Sequence, residues 1–481
     1  GYLSSFENIC NHISPSACGL KRSFNFVYHQ EGVKQNLEHS NKVGVQPSSH
    51  LFRQDIDRYM SKVAIKYGAT LLENTLITDF NIDKNGVRVE VESGDIFNAN
   101  FLVDASGYKS PISQKFNLRE SPTRLKTHSR SIFTHMVDVK RYDDCVKSKA
   151  DGLPWYKGTL HHIFDGGWMW VIPFNNHEKS NNSICSVGVN FDCRRHPKTE
   201  TSPEEEFKNF LARFPEIAIQ FENAKPVRNW VSTGRLQYSS YSYTGERFYQ
   251  LPHATGFVDA LYSFGLVNSC TIIIPLVSRI INALNTGDYS RDNFIEIENL
   301  QKKLFDYNDN LVNCSYISFR DFNLWDAWRR IWILGSFMRQ TKAGLRNRLK
   351  IAAGKEKELV KLNNSLNSLD NLTPSYEGLG DDFFSKATSI VEDVEKGLVS
   401  SHEATKKLMS LIESIDFLPQ NFWNMGDFTE KDIDIESDFF KAEFSRFLSW
   451  VKKSKKPQVK KYFDYDIEDL IAATKLTTVK K

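Results

Sequence analysis

The sequence predicts an α/β fold: a mixed β-sheet rich in aromatic residues, followed by a helical region. Three observations point there. Segments that alternate with a period of two, such as Phe24, Phe26, Tyr28 and Val87, Val89, Val91, are interleaved with segments of helical period, such as Phe52, Ile56, Tyr59, Val63. Two strand-like runs, Phe101-Leu102-Val103 and the segment at Leu251, each lead into a turn of small residues, where backbone can approach a ligand. Beyond Gly335 lysine, glutamate, asparagine and serine dominate, and the apolar residues keep helix spacing. We therefore expect an α/β region over 1–335 and a helical region over 336–481.

Bulk properties narrow the class. A chain of 481 residues with 40% hydrophobic and 13% aromatic content can bury a full core. A net charge of +3 gives no reason to expect nucleic acid or an anionic membrane as partner. The seven cysteines are scattered and contain no Cys-x-x-Cys, which argues against a disulfide framework and against zinc and favours a reducing cytoplasm. No apolar run reaches the ~20 residues of a membrane span. The chain opens at Gly1 without methionine, so an upstream segment is expected.

Taken in order, residues Tyr2 to Ile13 predict a short helix with Leu3, Phe6 and Ile9 on one face. Phe24, Phe26 and Tyr28 mark a strand, with Lys21 and Arg22 just before it. His50 to Lys66 reads as a helix that begins near Arg53 and is capped by Gly68. Thr75 to Asp83 and Val87 to Glu92 form a hairpin, with Asn85-Gly86 suited to a type I′ turn. Phe101 to Val103 reads as a buried strand ending in Asp104-Ala105-Ser106-Gly107. Ser131–Val139, Thr159–Phe164, Trp168–Pro173 and Ser183–Asn190 are further strands. In the third of these, Trp168, Trp170 and Ile172 share one face, Met169 and Val171 take the other, and Pro173 marks a strand end. His161 and His162 invite a metal, but neighbours on a strand point to opposite faces, so no metal ligands are assigned.

Downstream, Gly256-Phe257-Val258-Asp259 and Ser263-Phe264-Gly265 precede an apolar helix over Asn268 to Leu284, whose entrance offers free backbone N–H groups to an anion or carbonyl oxygen. Phe305 to Leu334 mixes Phe322, Trp325, Trp328 and Trp332 with charges in a helical pattern. The basic run Lys452 to Lys456 is balanced by Asp464, Asp466, Glu468 and Asp469 and reads as a solvated helical face.

Trp168-x-Trp170-x-Ile172-Pro173 resembles the signature of the flavin-dependent halogenases, and the Asp-Ala-Ser-Gly and Gly-Phe-Val-Asp stretches resemble the family's FAD-contacting motifs in the same order. The resemblance implies a Rossmann-like flavoprotein monooxygenase fold over roughly residues 1 to 335. It implies a cavity wall of Trp168, Trp170, Ile172 and Pro173 between flavin and substrate, and an essential lysine that matches Lys21. It also implies FAD contacts at Arg53, Asp104, Ser106, Gly107, Gly256, Phe257 and Asp259, and halide held by backbone amides at Ser263, Phe264 and Gly265. The cofactors implied are halide and FAD, reduced by a separate flavin reductase. The substrate would be a small aromatic molecule, free or tethered to a carrier protein. Lysine suits the transfer step, because its ammonium donates a hydrogen bond and desolvation exposes a nucleophilic amine.

Three departures qualify the resemblance. Pro252-His253 stands where many relatives have Gly-Asp. Tyr262 stands where the tryptophan-specific branch has glutamate, which points to phenol- or pyrrole-like substrates. No Gly-x-Gly-x-x-Gly occurs, so the first βαβ unit of the fold is expected to be missing from this chain. An FAD-dependent hydroxylase of the same superfamily and a degenerate ligand-binding relative stand as rivals.

Overall fold

The computed structural model describes residues 6–146, 153–341, 369, 372–427 and 437–463. The chain enters through helix α1 (Phe6–His12) and strand β1 (Cys18–His29), which turns back into β2 (Ser40–Leu51). Strand β2 is absent from the sequence expectation, which gave His50 to a helix. Its residues are mostly polar and include Pro47, and it lies at the sheet edge, where the ladder tolerates proline. Helix α2 therefore starts only at Arg53 and runs to Lys66, with Gly68 just beyond it at φ +98°. Strands β3 (Ile77–Asp83), β4 (Gly86–Val91) and β5 (Ile96–Ala99) make a small antiparallel sheet. Its first turn is centred on Lys84-Asn85, because Asp83 pairs with Gly86, and neither central residue has positive φ, so it is not type I′. The Asp83 carboxylate, which accepts from the Asn85 and Gly86 amides, holds this turn instead.

Strand β6 (Leu102–Asp104) is followed by α3 (Pro111–Lys115), β7 (Ser129–Val137), α4 (Tyr142–Cys145), β8 (Thr159–Phe164), β9 (Gly167–Pro173) and β10 (Cys185–Asp192). Next come α5 (Pro203–Arg213), α6 (Pro215–Ala218) and the short strands β11 (Lys225–Pro226), β12 (Val231–Ser232), β13 (Thr244–Gly245) and β14 (Phe248–Gln250). The main sheet has the order β11-β7-β10-β9-β8-β1-β2, with β12 also on β7. It is mixed, since β1 and β8 run parallel while β8, β9, β10 and β7 run antiparallel in sequence. A second, parallel pairing joins β14 to β6.

Alternation along the strands sorts the two cores. Phe24, Phe26, Tyr28 and Trp168 face one side and join a large aromatic core, whereas Val27, Met169 and Val171 face the other with Phe207 and Phe210 of α5. Four helices follow, α7 (Pro252–Thr255), α8 (Phe264–Thr286), α9 (Ile295–Ser318) and α10 (Phe322–Gln340). Of these, α9 and α10 close the first core, whereas α8 buries Ile272, Leu276 and Ala283 in a third core with Tyr249, Phe294 and Leu300. The expected helical stretch from Phe305 to Leu334 is thus two helices. They separate at Asp321, whose carboxylate caps α10 by accepting from the Asn323 and Leu324 amides.

Helices α11 (Asp381–Glu395), α12 (Ser401–Glu413), α13 (Asp438–Lys453) and α14 (Pro457–Tyr462) follow. The boundary expected at 335 falls inside α10. The later helices share its core, with Phe383, Leu408, Phe447 and Val459 packed among the same residues as Trp325 and Trp328. Tyr2, Leu3 and the acidic group Asp464, Asp466, Glu468 and Asp469 lie outside the described residues. One expectation on composition is corrected. Helix α8, at 23 residues, is long and apolar enough to cross a membrane by length and composition.

Candidate active site at the start of helix α8

Lys21 lies inside β1, where the β1–β2 register breaks between Lys21 and Ser23. A bulge of this kind re-aims side chains. The Lys21 ammonium sits 4.0 Å from the centroid of the Phe24 ring and donates to Ser263 Oγ at 3.3 Å, across 242 residues of sequence. The adjacent Arg22 is exposed. Burial pulls the Lys21 pKa from 10.5 down to about 8. His50 and His161, buried nearby, are both lowered to about 3, first by burial, with the Lys21 charge contributing in the same direction. Both imidazoles are therefore neutral, and the lysine is the titrating group of this corner.

Aromatic rings enclose the corner. Phe24 meets Trp332 edge-on at 5.4 Å, Trp332 packs on Tyr262 at 4.7 Å, and Tyr262 lies 6.0 Å from Phe264. Tyr262 is buried and hydrogen-bonded to Ser315 Oγ at 2.6 Å, so it is a wall and offers no carboxylate.

Ser263 is the N-cap of α8 in the left-handed conformation, φ 57°, and its side chain caps no helix amide. The first-turn N–H groups of Phe264 and Gly265 thus begin a 23-residue helix with no side-chain cap, an arrangement suited to a halide or a carbonyl oxygen. A Cβ on Gly265 would come within 3.1 Å of His253 Nε2, so a larger residue here would crowd that imidazole. His253 closes α7 against α8 and is held neutral, with its pKa lowered by burial and then by the Arg53 charge.

The wall stands on β9. Trp168 and Trp170 are 5.6 Å apart, and Gly188 of β10 leaves the room that the Trp170 indole occupies, since a Cβ there would lie 2.2 Å from the ring. Pro173 ends the strand, and its carbonyl oxygen approaches β1 so closely that a Cβ on Gly19 would fall 2.5 Å from it. Trp168 Nε1 donates to the Tyr316 hydroxyl at 3.0 Å, and that hydroxyl donates to Asp259 Oδ2 at 3.0 Å. Asp259 also accepts from Ser129 Oγ at 2.7 Å, Asn190 Nδ2 at 3.3 Å and the Leu261 amide at 3.0 Å. Burial pushes its pKa up against these hydrogen bonds. Asp259 is buried, and these bonds tie the wall to the Gly-Phe-Val-Asp loop.

Asp104 organises its own turn, accepting from the Ser106 amide at 2.9 Å, Ser106 Oγ at 2.5 Å and Ser110 Oγ at 2.6 Å. Gly256 is extended, with the Tyr238 carbonyl 2.7 Å from where a Cβ would stand, and Phe257 bonds to the same Tyr238 backbone. Gly107, at φ +74°, keeps open space before the His253 carbonyl. Arg53 is exposed and paired with Asp57 at 2.7 Å. Gly107 and Gly265 both approach His253, whose pKa burial and then the Arg53 charge lower, so His253 is the neighbour these positions share. Tyr316, Ser129 and the buried role of His50 were missed in the sequence, because no local pattern marks a residue whose partner is more than 50 positions away. Gly188 had a signal, a glycine in a strand interior.

Comparison with known proteins shows the family. The tryptophan halogenase family model matches residues 27–357. The monodechloroaminopyrrolnitrin halogenase PrnC of Pseudomonas fluorescens is 40% identical over 474 residues, 97% of this chain and 83% of that protein. The tetracycline 7-halogenase of Kitasatospora aureofaciens is 37% identical over 490 residues, 98% of this chain and 85% of that protein. The crystal structure of halogenase PltM in complex with phloroglucinol and FAD superposes with a TM-score of 0.79 at 33% identity, covering 85% of this chain and 82% of that one. With the lysine, the double-tryptophan wall and the uncapped helix brought together in one fold, the chain belongs to the tryptophan halogenase family and is a flavin-dependent halogenase.

Proposed function

We propose that the chain halogenates a free, electron-rich aromatic molecule of phenol or arylpyrrole type, with Lys21 as the group that delivers the halogen. The observation that carries this is the 3.3 Å contact between Lys21 Nζ and Ser263 Oγ at the uncapped start of α8. It puts the lysine beside the amides suited to halide. Reduced FAD, when bound, supplies the oxidation of halide by oxygen, and a separate flavin reductase reduces it. Phe264 and Gly265 hold the halide through backbone N–H groups. Lys21 then receives hypohalous acid, as a hydrogen-bond donor or, with its pKa near 8, as the amine that carries the halogen. Trp168 and Trp170 exclude water and keep the substrate apart from the flavin, while Phe24, Tyr262 and Trp332 supply the aromatic surface beside the lysine.

The substrate class rests on two supports. Tyr262 places a hydrogen-bonded phenol where the tryptophan-specific branch has a carboxylate. The relatives matched along almost the whole chain are named for free small molecules, whereas a carrier-protein pyrrole chlorinase from Pseudomonas fluorescens matches over 56% of the chain at 23% identity.

The test supplies FAD, a flavin reductase, oxygen and chloride or bromide, and compares phenols, arylpyrroles and tryptophan. Lys21→Ala is expected to lower halogenation about 10²–10⁴-fold while reduced flavin is still reoxidised by oxygen. Arg22→Ala is expected to retain product. Efficient chlorination of free tryptophan would remove the substrate proposal, and product formation by Lys21→Ala would remove the role of the lysine.

A further inference from the structure

Away from this site, α1 and the first residue of β1 bring two thiols and an imidazole together. Cys10 Sγ and Cys18 Sγ are 3.7 Å apart and both residues are buried. One ring nitrogen of His177, on the loop after β9, lies with the two sulfurs in a group whose ligand atoms are all within 4.8 Å of one another. Two sulfurs bound to one tetrahedral zinc at about 2.3 Å stand about 3.8 Å apart. The thiol spacing is that of a tetrahedral edge, and it is well beyond the ~2.05 Å of a disulfide.

The histidine is arranged as a ligand. Its Nε2 pairs with the Cys18 carbonyl oxygen at 3.0 Å, which orients the ring, and its Nδ1 is buried with no hydrogen-bond partner. Metal-bound imidazoles are typically held in this way, with one nitrogen on the ion and the other N–H on a carbonyl. We propose that Cys10, Cys18 and His177 form a binding site for a soft d¹⁰ cation of the Zn²⁺ class, with a fourth position open to water.

Two thiolates and a neutral imidazole favour such an ion over Mg²⁺ or Ca²⁺, which take oxygen ligands. Binding releases two thiol protons to solvent, so affinity rises with pH. The half-buried His177 leaves an entry side. The ion would join α1, β1 and the loop that follows the tryptophan wall, three residues ahead of Lys21. Asn176, next to His177, already clasps this strand, accepting from the Leu20 amide at 2.7 Å and donating to the Leu20 carbonyl at 2.8 Å. The site owes nothing to the flavin chemistry and is tested without it.

The full chain, reduced and stripped by a chelator, is titrated with Zn²⁺ against a chromophoric competitor, and separately with Co²⁺ read by absorption. One equivalent of zinc is expected. With cobalt, a thiolate charge-transfer band and the visible bands of a tetrahedral ion are expected. Cys10→Ser and His177→Ala should each weaken zinc at least about tenfold, while Cys270→Ser, an exposed cysteine, should leave it unchanged. Zinc should raise the Tm of the parent protein and not that of Cys10→Ser, which separates lost ligation from lost folding. The proposal is overturned by folded protein that takes up no stoichiometric zinc, or by equal uptake in the Cys10 and His177 variants. It is also overturned by a Cys10–Cys18 disulfide in protein kept under reductant.

Discussion

Helices α8 and α10 are both long and rich in apolar residues, yet the fold treats them in opposite ways. Helix α10 carries Arg329, Arg330, Arg339 and Asp326 and is nonetheless buried along Leu324, Trp325, Trp328, Ile331, Trp332 and Met338. Its charges pair off locally, Arg329 and Arg330 both meeting Asp326 and Asp427. Helix α8 has a single basic residue, Arg279, and no acidic one, but it buries only Asn268, Ile272, Pro275, Leu276 and Ala283. Leu266, Val267, Ile274, Val277, Ile281 and Leu284 are exposed. Among the described residues nothing covers this face. Composition sets how much apolar surface a helix has, while neighbours decide whether it leaves water.

The largest effect that tests this contrast is expected in α10. Trp328 is fully buried, and its Nε1 donates to the Leu311 carbonyl at 3.2 Å and to Ser315 Oγ at 3.1 Å. Trp328→Ala should cost about 3–5 kcal/mol in chemical denaturation. A smaller loss is expected at the junction between α9 and the start of α8. Tyr316→Phe removes the hydroxyl that links Trp168 to Asp259 and should cost about 1–3 kcal/mol, with a perturbed tryptophan fluorescence spectrum.

The Lys21 corner gives a pH signature. Its folded pKa of about 8 lies below the ordinary 10.5, so between these values the unfolded chain binds the extra proton. Stability should therefore rise with pH through that window, and Lys21→Met should flatten the rise. ¹³C-labelled lysine methylenes would show one resonance titrating near 8. The smallest effect belongs to the exposed face. Ile274→Ala should change stability by no more than about 0.5 kcal/mol. A loss comparable to that of Trp328→Ala would show that the α8 face is covered in solution and would break the contrast.

Local patterns made much of this protein legible. Strands β7 to β10 follow from alternation, and the opposed faces of Trp168 and Met169 follow from the pleat alone. The small-residue turns at Asp104 and Gly256 and the helix entrance at Ser263 could be picked out one by one, whereas Lys21 stood out only through the family resemblance. Strand β2 could not, because a polar edge strand is held by the partner it pairs with and not by its own pattern. The break at Asp321 was hidden because Phe319, Phe322 and Trp325 keep a three-residue spacing across it.

By itself the sequence determined which residues alternate, which turns are small and which stretch carries the double-tryptophan wall, all properties of neighbours within a few positions. Only the tertiary structure set Lys21 on Ser263, turned Asp259 inward to hold the wall, gathered Cys10, Cys18 and His177, and left one face of α8 uncovered among the described residues where α10 is buried. Each of these depends on two segments far apart in the chain meeting at one point. A register break or a packed helix decides such a meeting, and no local period encodes it.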